Sequence, residues 1–314
     1  MPTPVTVTLG NSGKDYSSLQ GATAGTEVIN RVTNDEVITI ECYNTDDASI
    51  DAAGASIAAG AAANNVTIIP APGEDYAAND YTSKALKYDP ADGVAFEATG
   101  AFTSALILNG SSSTQVTSCQ FDCPSSVHAG SVLHGNDGDS NFDGCIVQTE
   151  NGNRQSRANY TNCLYIRSGA LSQDGGSFSF SALSQCTFVC PDDLTSTAAG
   201  VGLHASPTLN EVAIFGFNSA NNGGAGTSAY NATDLSSIPG TNTLTSLTYA
   251  DQFEDVDDAT QDWRMKAGND LDGAGAGGID IGFRIPDAIP GGGTTNPKGP
   301  LGHPFYGPFR GPIS

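Results

Sequence analysis

The sequence predicts an all-β fold in which short strands stack on one another as a solenoid. A Cys-containing strand pattern recurs around Cys119, Cys145, Cys163 and Cys186, and each copy is followed by Gly, Ser, Asn or Pro. Apolar and polar residues alternate within such segments, as in Val37–Cys42, which is typical of strands with one buried face. The chain also contains 38 glycines, which suit sharp corners. Common helical repeats are longer, at about 33–47 residues.

One inward-facing position is expected to recur along the stack. We place it at Val37, Val66, Val94, Cys119, Cys145, Cys163, Cys186 and Val212. The steps between these positions average 25 residues, enough for three short strands and three turns per coil. The steps are uneven, which indicates turns of variable length. With neighbouring strands ~4.8 Å apart, eight coils predict a rod ~35–40 Å long.

The charge of the chain argues against nucleic acid as a partner. Lys and Arg number 12 and Asp and Glu number 34, so the net charge is −22, and such a surface repels phosphate backbones. No apolar run approaches the ~20 residues of a membrane span. The first residues lack the basic start and apolar core of a secretory signal. We therefore expect a product that stays in the cell that makes it, or leaves by lysis or assembly.

The seven cysteines follow the repeat instead of a disulfide framework. Their spacing predicts an internal ladder of small apolar side chains, and hence buried free thiols. The alternative is oxidation between cysteines of adjacent coils, whose Cα atoms fall within the separation that a disulfide allows. No Cys-x-x-Cys pair is present, so the sequence predicts no zinc site.

The chain divides into four predicted parts. Residues 1–34 form an N-terminal cap, with a strand from Val5 to Leu9 and a short helix within Asp15–Ala24 that Ser17 or Asp15 would cap. Residues 35–250 carry the coils. Residues 251–285 form a C-terminal segment in which Asp262 to Phe283 closes the exit end. Residues 286–314 form an extended arm rich in Pro, Gly and aromatic residues.

The arm is the predicted interaction site. It contains seven of the 16 prolines and seven glycines, and it is weakly basic on an acidic body. Proline fixes φ and removes hydrogen-bond donors, so we expect an extended segment that docks on a neighbouring subunit through spaced aromatic anchors. The alternative is a disordered tail. The predicted contact residues are Pro300, Leu301, Pro304, Phe305, Tyr306, Pro308, Phe309 and Arg310.

Few groups have the spacing of a metal site. Acidic and amide residues alternate between Asn136 and Gly144, as in a calcium loop, but Phe142 stands where such loops usually place Gly. The alternative is a polar turn between coils. The dense acidic residues from Asp251 to Asp262 are interpreted as a solvated turn, with calcium binding as the alternative. The alternating residues are Asp137, Asp139, Asn141 and Asp143. We predict neither a cofactor nor a bound metal.

Catalytic candidates are equally sparse. His128 and His134 precede this segment, and His at a turn is usually solvated. Arg154, Arg157 and Arg167 could line one face at successive coils, but the simpler interpretation is surface charge that pairs with the abundant carboxylates. These residues do not predict an enzyme.

Both ends of the chain resemble a known family. The stretch Asp262–Asn269, followed by Gly278–Gly282, resembles the closing segment of right-handed parallel β-helix proteins of the pectate-lyase-like class. This chain has Asn269-Asp270 where Ser-Pro is usual. The opening segment Gly13–Leu19 is similar to the entry cap of β-helix proteins common in tailed-phage genomes. The resemblance implies a right-handed parallel β-helix over about residues 5–283.

The resemblance and the arm together suggest a function. They imply a non-enzymatic virion component of a tailed phage, either a capsid decoration or cement protein or a tail-associated β-helix subunit. Its partners would be other virion proteins and further copies of itself, and trimers are common among similar phage β-helices. The alternative is a tailspike-like protein that binds or degrades polysaccharide as a lyase or glycosidase, with stacked aromatics and a carboxylate pair on one face. A bacterial cell-surface β-helix would have carried a secretion signal.

Overall fold

The computed structural model describes most of the chain up to residue 285. The described residues are 1–10, 13–44, 48–58, 65–79, 81, 84–98, 105–108, 113–123, 133–135, 140–149, 158–168, 178–191, 199–217, 219–221 and 227–285. Their helices are short: α1 (Leu19–Thr23), α2 (Thr26–Asn30) and α3 (Tyr249–Gln252). Single 3₁₀ turns occur at Tyr76–Ala78, Pro90–Asp92 and Ala276–Gly278.

Strands make up most of the regular structure in these residues. The first half of the chain contains β1 (Thr3–Leu9), β2 (Glu36–Cys42), β3 (Ile50–Asp51), β4 (Ser56–Ile57), β5 (Val66–Pro70), β6 (Ala95–Glu97), β7 (Leu106–Leu108), β8 (Thr114–Thr117), β9 (Gln120–Cys123), β10 (Leu133–Gly135) and β11 (Asn141–Asp143). The second half contains β12 (Ile146–Thr149), β13 (Asn159–Thr161), β14 (Leu164–Arg167), β15 (Phe178–Ser184), β16 (Thr187–Val189), β17 (Ala199–Asn210), β18 (Ala213–Phe215), β19 (Ser219–Asn221), β20 (Ala232–Thr233), β21 (Phe253–Asp255) and β22 (Asp262–Met265).

Two long parallel sheets dominate the described part of the chain. Sheet A has the order β1-β2-β5-β8-β11-β13-β15-β17-β19, and sheet B has the order β3-β6-β9-β12-β14-β16-β18-β20. A short parallel sheet contains β4, β7 and β10, while β21 and β22 form an antiparallel hairpin. From β11 to β20, successive strands alternate between sheet A and sheet B. The predicted all-β fold built from stacked parallel strands is confirmed at this level.

The inward faces of the two sheets build one hydrophobic core. In-register pairing aligns one inward position of sheet A through Val7, Ile40, Ile68, Val116, Phe142, Tyr160, Leu183 and Leu209. It likewise aligns Phe96, Phe121, Val147, Tyr165, Phe188 and Ile214 in sheet B. All of these side chains are buried in the same cluster. Each large apolar side chain in such a core contributes about 1.5–3 kcal/mol by its burial.

Aromatic rings within this core stack between adjacent strands. The ring centroids of Phe142 and Tyr160 lie 4.9 Å apart, and those of Tyr165 and Phe188 lie 4.7 Å apart with an interplanar angle of 4°. Such pairs contribute about 0.5–1.5 kcal/mol beyond the burial of their area. Parallel in-register pairing places equivalent side chains at neighbouring positions, which explains why the rings meet face to face.

A tight corner carries the chain from sheet A to sheet B. The corner residue has a left-handed backbone at Ser118, Gly144, Asn162, Gln185 and Glu211, with φ between 50 and 61°. The residue after each corner occupies the inward-facing column that the sequence predicts. The pairing registers align the members of this column, Val94, Cys119, Cys145, Cys163, Cys186 and Val212. The predicted column is therefore confirmed from Val94 onward.

The first two positions assigned to that column were wrong. Val37 pairs with Pro4 and Val66 pairs with Ile38, and all four residues lie in strands of sheet A. The alternating pattern of these strands suits either sheet, because period-two alternation identifies a buried face but not which sheet holds it. Only the later copies of the repeat carry the cysteine that follows the corner residue.

The cysteine thiols form hydrogen bonds with backbone carbonyls at the corners. The Cys163 Sγ lies 3.2 Å from the Thr161 carbonyl oxygen, and the Cys186 Sγ lies 3.3 Å from the Ser184 carbonyl oxygen, so each thiol donates to the residue two positions earlier. A small side chain with a weak donor therefore fills the interior and satisfies a backbone acceptor. Among cysteines whose side chains the structure describes, all six are buried free thiols, as predicted: Cys42, Cys119, Cys145, Cys163, Cys186 and Cys190.

We expect these thiols to resist modification until the protein unfolds. Burial raises the pKa of the Cys119 and Cys163 thiols well above the usual value, so little reactive thiolate forms. Six of the seven cysteines should react with a disulfide reagent at pH 8 more than about a hundredfold more slowly in the native protein than in denaturant. Counting modified cysteines by mass spectrometry measures this. Rapid native labelling at Cys145 or Cys163 would contradict the buried column.

The N-terminal segment adds the first strand of sheet A. Strand β1 pairs with β2 along its whole length. The predicted short helix is present as α1, but its cap is Ser18, whose Oγ accepts a hydrogen bond from the Gly21 N–H at 3.0 Å. Asp15, one of the two predicted caps, instead accepts from the Thr8 N–H and hydroxyl. Leu19 is fully buried in the core, so α1 covers interior residues.

Candidate binding groove on the outer face of sheet B

The outer face of sheet B is apolar and covered. Its outward residues Ile146, Leu164, Ile166, Val189 and Phe215 are buried in a second hydrophobic cluster. The covering residues come from the 3₁₀ turn at Tyr76–Ala78, from Tyr81, Leu86 and Tyr88, and from residues 249–285. Sheet B is therefore buried on both faces, as parallel strands usually are.

The C-terminal segment is held to sheet B by the corner residues. The Asn162 side chain donates to the Arg284 carbonyl oxygen at 2.7 Å and accepts from the Arg284 N–H at 2.6 Å. The Glu211 backbone carbonyl accepts from the Gly282 N–H at 2.8 Å, and its carboxylate accepts from the Ala276 N–H at 3.0 Å. The left-handed corners therefore aim polar groups outward, where they bind the returning chain.

The segment predicted to close the exit end covers the outside of sheet B. Within it, Trp263 donates its backbone N–H to the Leu86 carbonyl at 2.9 Å, and both Trp263 and Phe283 belong to the second hydrophobic cluster. The second apolar face of sheet B needs such a covering layer. The closure of the exit end itself stays a prediction.

A groove lies between the C-terminal segment and the residues Tyr81 and Leu86. It has a volume of about 670 Å³ and is open to solvent on one side. We call it the C-terminal groove; its apolar lining residues are Leu86, Trp263, Met265, Ile279, Phe283 and Ile285. Trp263 is buried against Tyr249, with ring centroids 6.3 Å apart, so the floor of the groove is backed by an aromatic cluster.

Two of the three cations that line this groove, Arg264 and Lys266, bind partners in its own wall. The Arg264 Nε lies 2.9 Å from both carboxylate oxygens of Asp262, and its Nη1 donates to the Tyr81 carbonyl at 2.8 Å. The hydrogen bonds that the Arg264 guanidinium donates to Asp262 raise the pKa of Arg264. Lys266 donates its Nζ to the Ala250 carbonyl at 2.6 Å. These cations are therefore held by the protein itself.

Carboxylates occupy the rim of the groove. Glu254 and Asp272 line it and are exposed, while Asp280 is half-buried and lies 3.4 Å from the Arg284 Nε. On a chain with a net charge of −22, this arrangement favours a ligand that combines apolar groups with positive charge.

Asp262 joins the two walls of the groove. Its Oδ1 accepts the Leu86 N–H at 3.0 Å as well as the Arg264 guanidinium. Asp262→Ala should lower the free energy of unfolding by about 1–3 kcal/mol, because it leaves a buried N–H and a guanidinium without their acceptor. Chemical denaturation measures the loss. The exposed Asp257→Ala serves as the control, and equal stability of both variants would contradict this role for Asp262.

The arm and most of the other candidate residues lie outside the described residues. This holds for the whole set Pro300, Leu301, Pro304, Phe305, Tyr306, Pro308, Phe309 and Arg310, and equally for Asp137, Asp139, His128, Arg154 and Arg157. His134 belongs to β10, and its backbone pairs with Ile107. The predicted docking of the arm therefore stays a prediction.

Two candidates are placed differently from their sequence interpretation. Phe142, in the segment resembling a calcium loop, is an inward residue of β11 within the core, and Asn141 and Asp143 belong to the same strand. Arg167 was interpreted as surface charge, but it is fully buried at the end of β14, and burial lowers its pKa to about 10. Polar residues on the outward face of a strand and in a loop look alike in sequence, which explains the first difference.

The acidic cluster is divided between solvent and structure. Glu254 and Asp257 are exposed in or beside the β21–β22 hairpin, as a solvated turn predicts, whereas Asp262 is buried beneath Arg264. Within the described residues, no group of three or more His, Cys, Asp or Glu side chains is arranged to hold a metal ion. In that same part of the chain, none of the helices has the length and apolar character needed to cross a membrane.

Comparison with known proteins adds no relative. No protein-family model, curated protein or solved structure matches this chain. What the structure establishes is a predominantly β fold with two long parallel sheets, and the family suggested by the sequence pattern stays a prediction.

Proposed function

We propose that this chain is a non-enzymatic structural protein of a tailed-phage virion, built as a right-handed parallel β-helix. The observation that carries the proposal is the continuous in-register core from Val7 in β1 to Leu209 in β17, which links the successive passes of the chain into one body. Such a core suits a protein whose task is to remain rigid within a larger assembly.

The path of the chain between the two sheets supports the β-helix. Strands alternate between sheet A and sheet B from β11 to β20, and each strand lies parallel to its counterpart in the next pass. Connections between parallel strands of one sheet are right-handed in about 98% of cases, which supports the right-handed form. The left-handed corner geometry that repeats at Ser118, Asn162 and Gln185 supports a regular coil.

The arm supplies the means of assembly in this proposal. Ile285 lines the C-terminal groove, and the sequence that follows, residues 286–314, contains aromatic residues separated by prolines. Prolines restrict the unbound arm, so less conformational entropy is lost when it docks. Many weak arm contacts in a symmetric particle give high avidity.

The proposed location is the virion surface or tail. The chain would act as a capsid decoration or cement protein, or as a tail-associated subunit, and would contact other virion proteins and further copies of itself. A trimer is the oligomer we expect, by analogy with similar phage β-helices. The strongly acidic body favours solubility before assembly.

Deletion of residues 286–314 tests the proposal. Particles of the encoding phage should contain the full chain, whereas the truncated chain should be lost from them while its circular dichroism and thermal unfolding stay unchanged. Sedimentation of particles followed by mass spectrometry measures incorporation. If the truncated chain enters particles normally, the arm has no assembly role; if the full chain is absent from particles, the virion proposal fails.

A polysaccharide assay tests the enzymatic alternative. Incubation of the purified chain with acidic polysaccharides should produce no ultraviolet absorbance from unsaturated sugars and no new reducing ends. Sustained, enzyme-dependent release of either product would replace the structural proposal with the tailspike-like one.

A further inference from the structure

We infer that the C-terminal groove is the receptor for the 286–314 arm of a second copy of this chain. This inference rests on the proposed function and identifies the docking surface within it. The groove combines an apolar lining with an acidic rim, and the arm combines apolar anchors with basic residues. The structure and the sequence therefore supply both halves of one contact.

The size and lining of the groove suit the anchors of the arm. A volume of about 670 Å³ lies within the range of ~300–1,000 Å³ that is usual for ligand pockets. Met265, Ile279 and Ile285 are half-buried in its wall and present apolar surface. In the stretch Leu301–Phe309, aromatic and aliphatic side chains are separated by prolines. Side chains presented in this way are suitable anchors for an apolar groove.

The charges of the two parts are complementary. Arg264 and Lys266 are held by Asp262 and by the Ala250 carbonyl, whereas Glu254 and Asp272 are exposed at the rim. The arm carries Lys298 and Arg310 against a single acidic residue, Asp287. A basic segment therefore meets exposed carboxylates without displacing the pairs within the wall.

The length of the arm allows its anchors to reach a second copy. Ile285 itself lines the groove, and Leu301 follows 16 residues later in the sequence. A segment of 16 residues can span up to ~50 Å at ~3.1 Å per residue, which is long enough to reach the groove of a neighbouring copy.

Photo-crosslinking of the full chain tests the inference. Phe305 is replaced by p-benzoylphenylalanine, and this preparation is mixed with ¹⁵N-labelled natural chain before irradiation. We expect cross-links between light and heavy chains that map to residues 263–285. Cross-links confined within single chains would overturn the exchange between copies, and cross-links between copies that map elsewhere would overturn the groove as the receptor.

Point variants of the full chain make the test specific. Ile279→Glu should reduce the intermolecular cross-link at least tenfold, whereas Ile279→Leu should retain it. Ile29→Glu, at an exposed apolar residue of α2, is the matched control and should have no effect. Phe309→Ala changes only the arm and should weaken the cross-link even if the groove variant folds poorly. Unchanged yields in both Ile279→Glu and Phe309→Ala would overturn the inference.

The failure of this inference can be separated from the failure of the proposed function. If arm deletion abolishes incorporation into particles but cross-links from position 305 map outside residues 263–285, the virion role stands and the arm uses another receptor. If cross-links reach the groove of a second copy but the full chain is absent from particles, the groove contact stands and the virion role fails.

Discussion

Phe188→Ala is expected to lower the free energy of unfolding by about 3–5 kcal/mol, because the substitution leaves a large cavity in a closely packed core. Phe188 is fully buried, and its ring stacks on that of Tyr165 with centroids 4.7 Å apart. Its strand β16 is bonded on both sides, to β14 and β18. Neighbouring passes are therefore held in place and cannot collapse into the space that the ring leaves.

Guanidinium chloride unfolding, followed by circular dichroism, measures this loss. Phe188→Leu retains most of the apolar volume and should cost less than about 1.5 kcal/mol. Ile29→Ala is the surface control: Ile29 is 61% exposed, and we expect a change within about 0.5 kcal/mol. If Phe188→Ala were no more destabilising than Ile29→Ala, the stacked interior would not be the source of stability.

Gly216→Ala is expected to destabilise the protein by about 2–5 kcal/mol. Gly216 has φ = +78°, and a Cβ there would lie 2.1 Å from the Cys190 carbonyl oxygen. The left-handed backbone costs an alanine about 1–2 kcal/mol, and the forced shift of packed backbone adds about 1–3 kcal/mol. The substitution therefore pushes the backbone that follows β18 away from Cys190, which belongs to the preceding pass.

A second glycine isolates the contribution of the clash. Gly277 has φ = +72° and open space around its missing Cβ, so Gly277→Ala should cost only about 1–2 kcal/mol. The difference in unfolding midpoint between the two variants measures the close approach of Gly216 to Cys190. Equal losses would mean that backbone conformation alone accounts for both.

The sequence predicts the later passes well because a chemical marker repeats in them. Cys119, Cys145, Cys163 and Cys186 occupy equivalent corners, and their spacing alone identified the column. Val37 and Val66 lack that marker, so alternation was the only guide, and it does not distinguish sheet A from sheet B. The left-handed residues Gln185 and Glu211 were also missed, because turn chemistry favours Gly, Asn and Asp at such positions.

The C-terminal groove could not be predicted from local spacing. Asp262 and Leu86, which hold its walls together, are 176 residues apart in the chain. A weaker signal was present in the short apolar runs Leu164–Ile166 and Ala213–Phe215, since consecutive apolar residues indicate strands buried on both faces. Those runs predict a covering layer for sheet B, although they do not identify which segment supplies it.

The corner column also bears on how such a chain can change over evolutionary time. Cys145 and Cys163 are 18 residues apart and Cys186 and Val212 are 26 apart, yet both pairs occupy equivalent positions. Gene segments encoding the connections can therefore grow, shrink or be exchanged while the pairing remains intact.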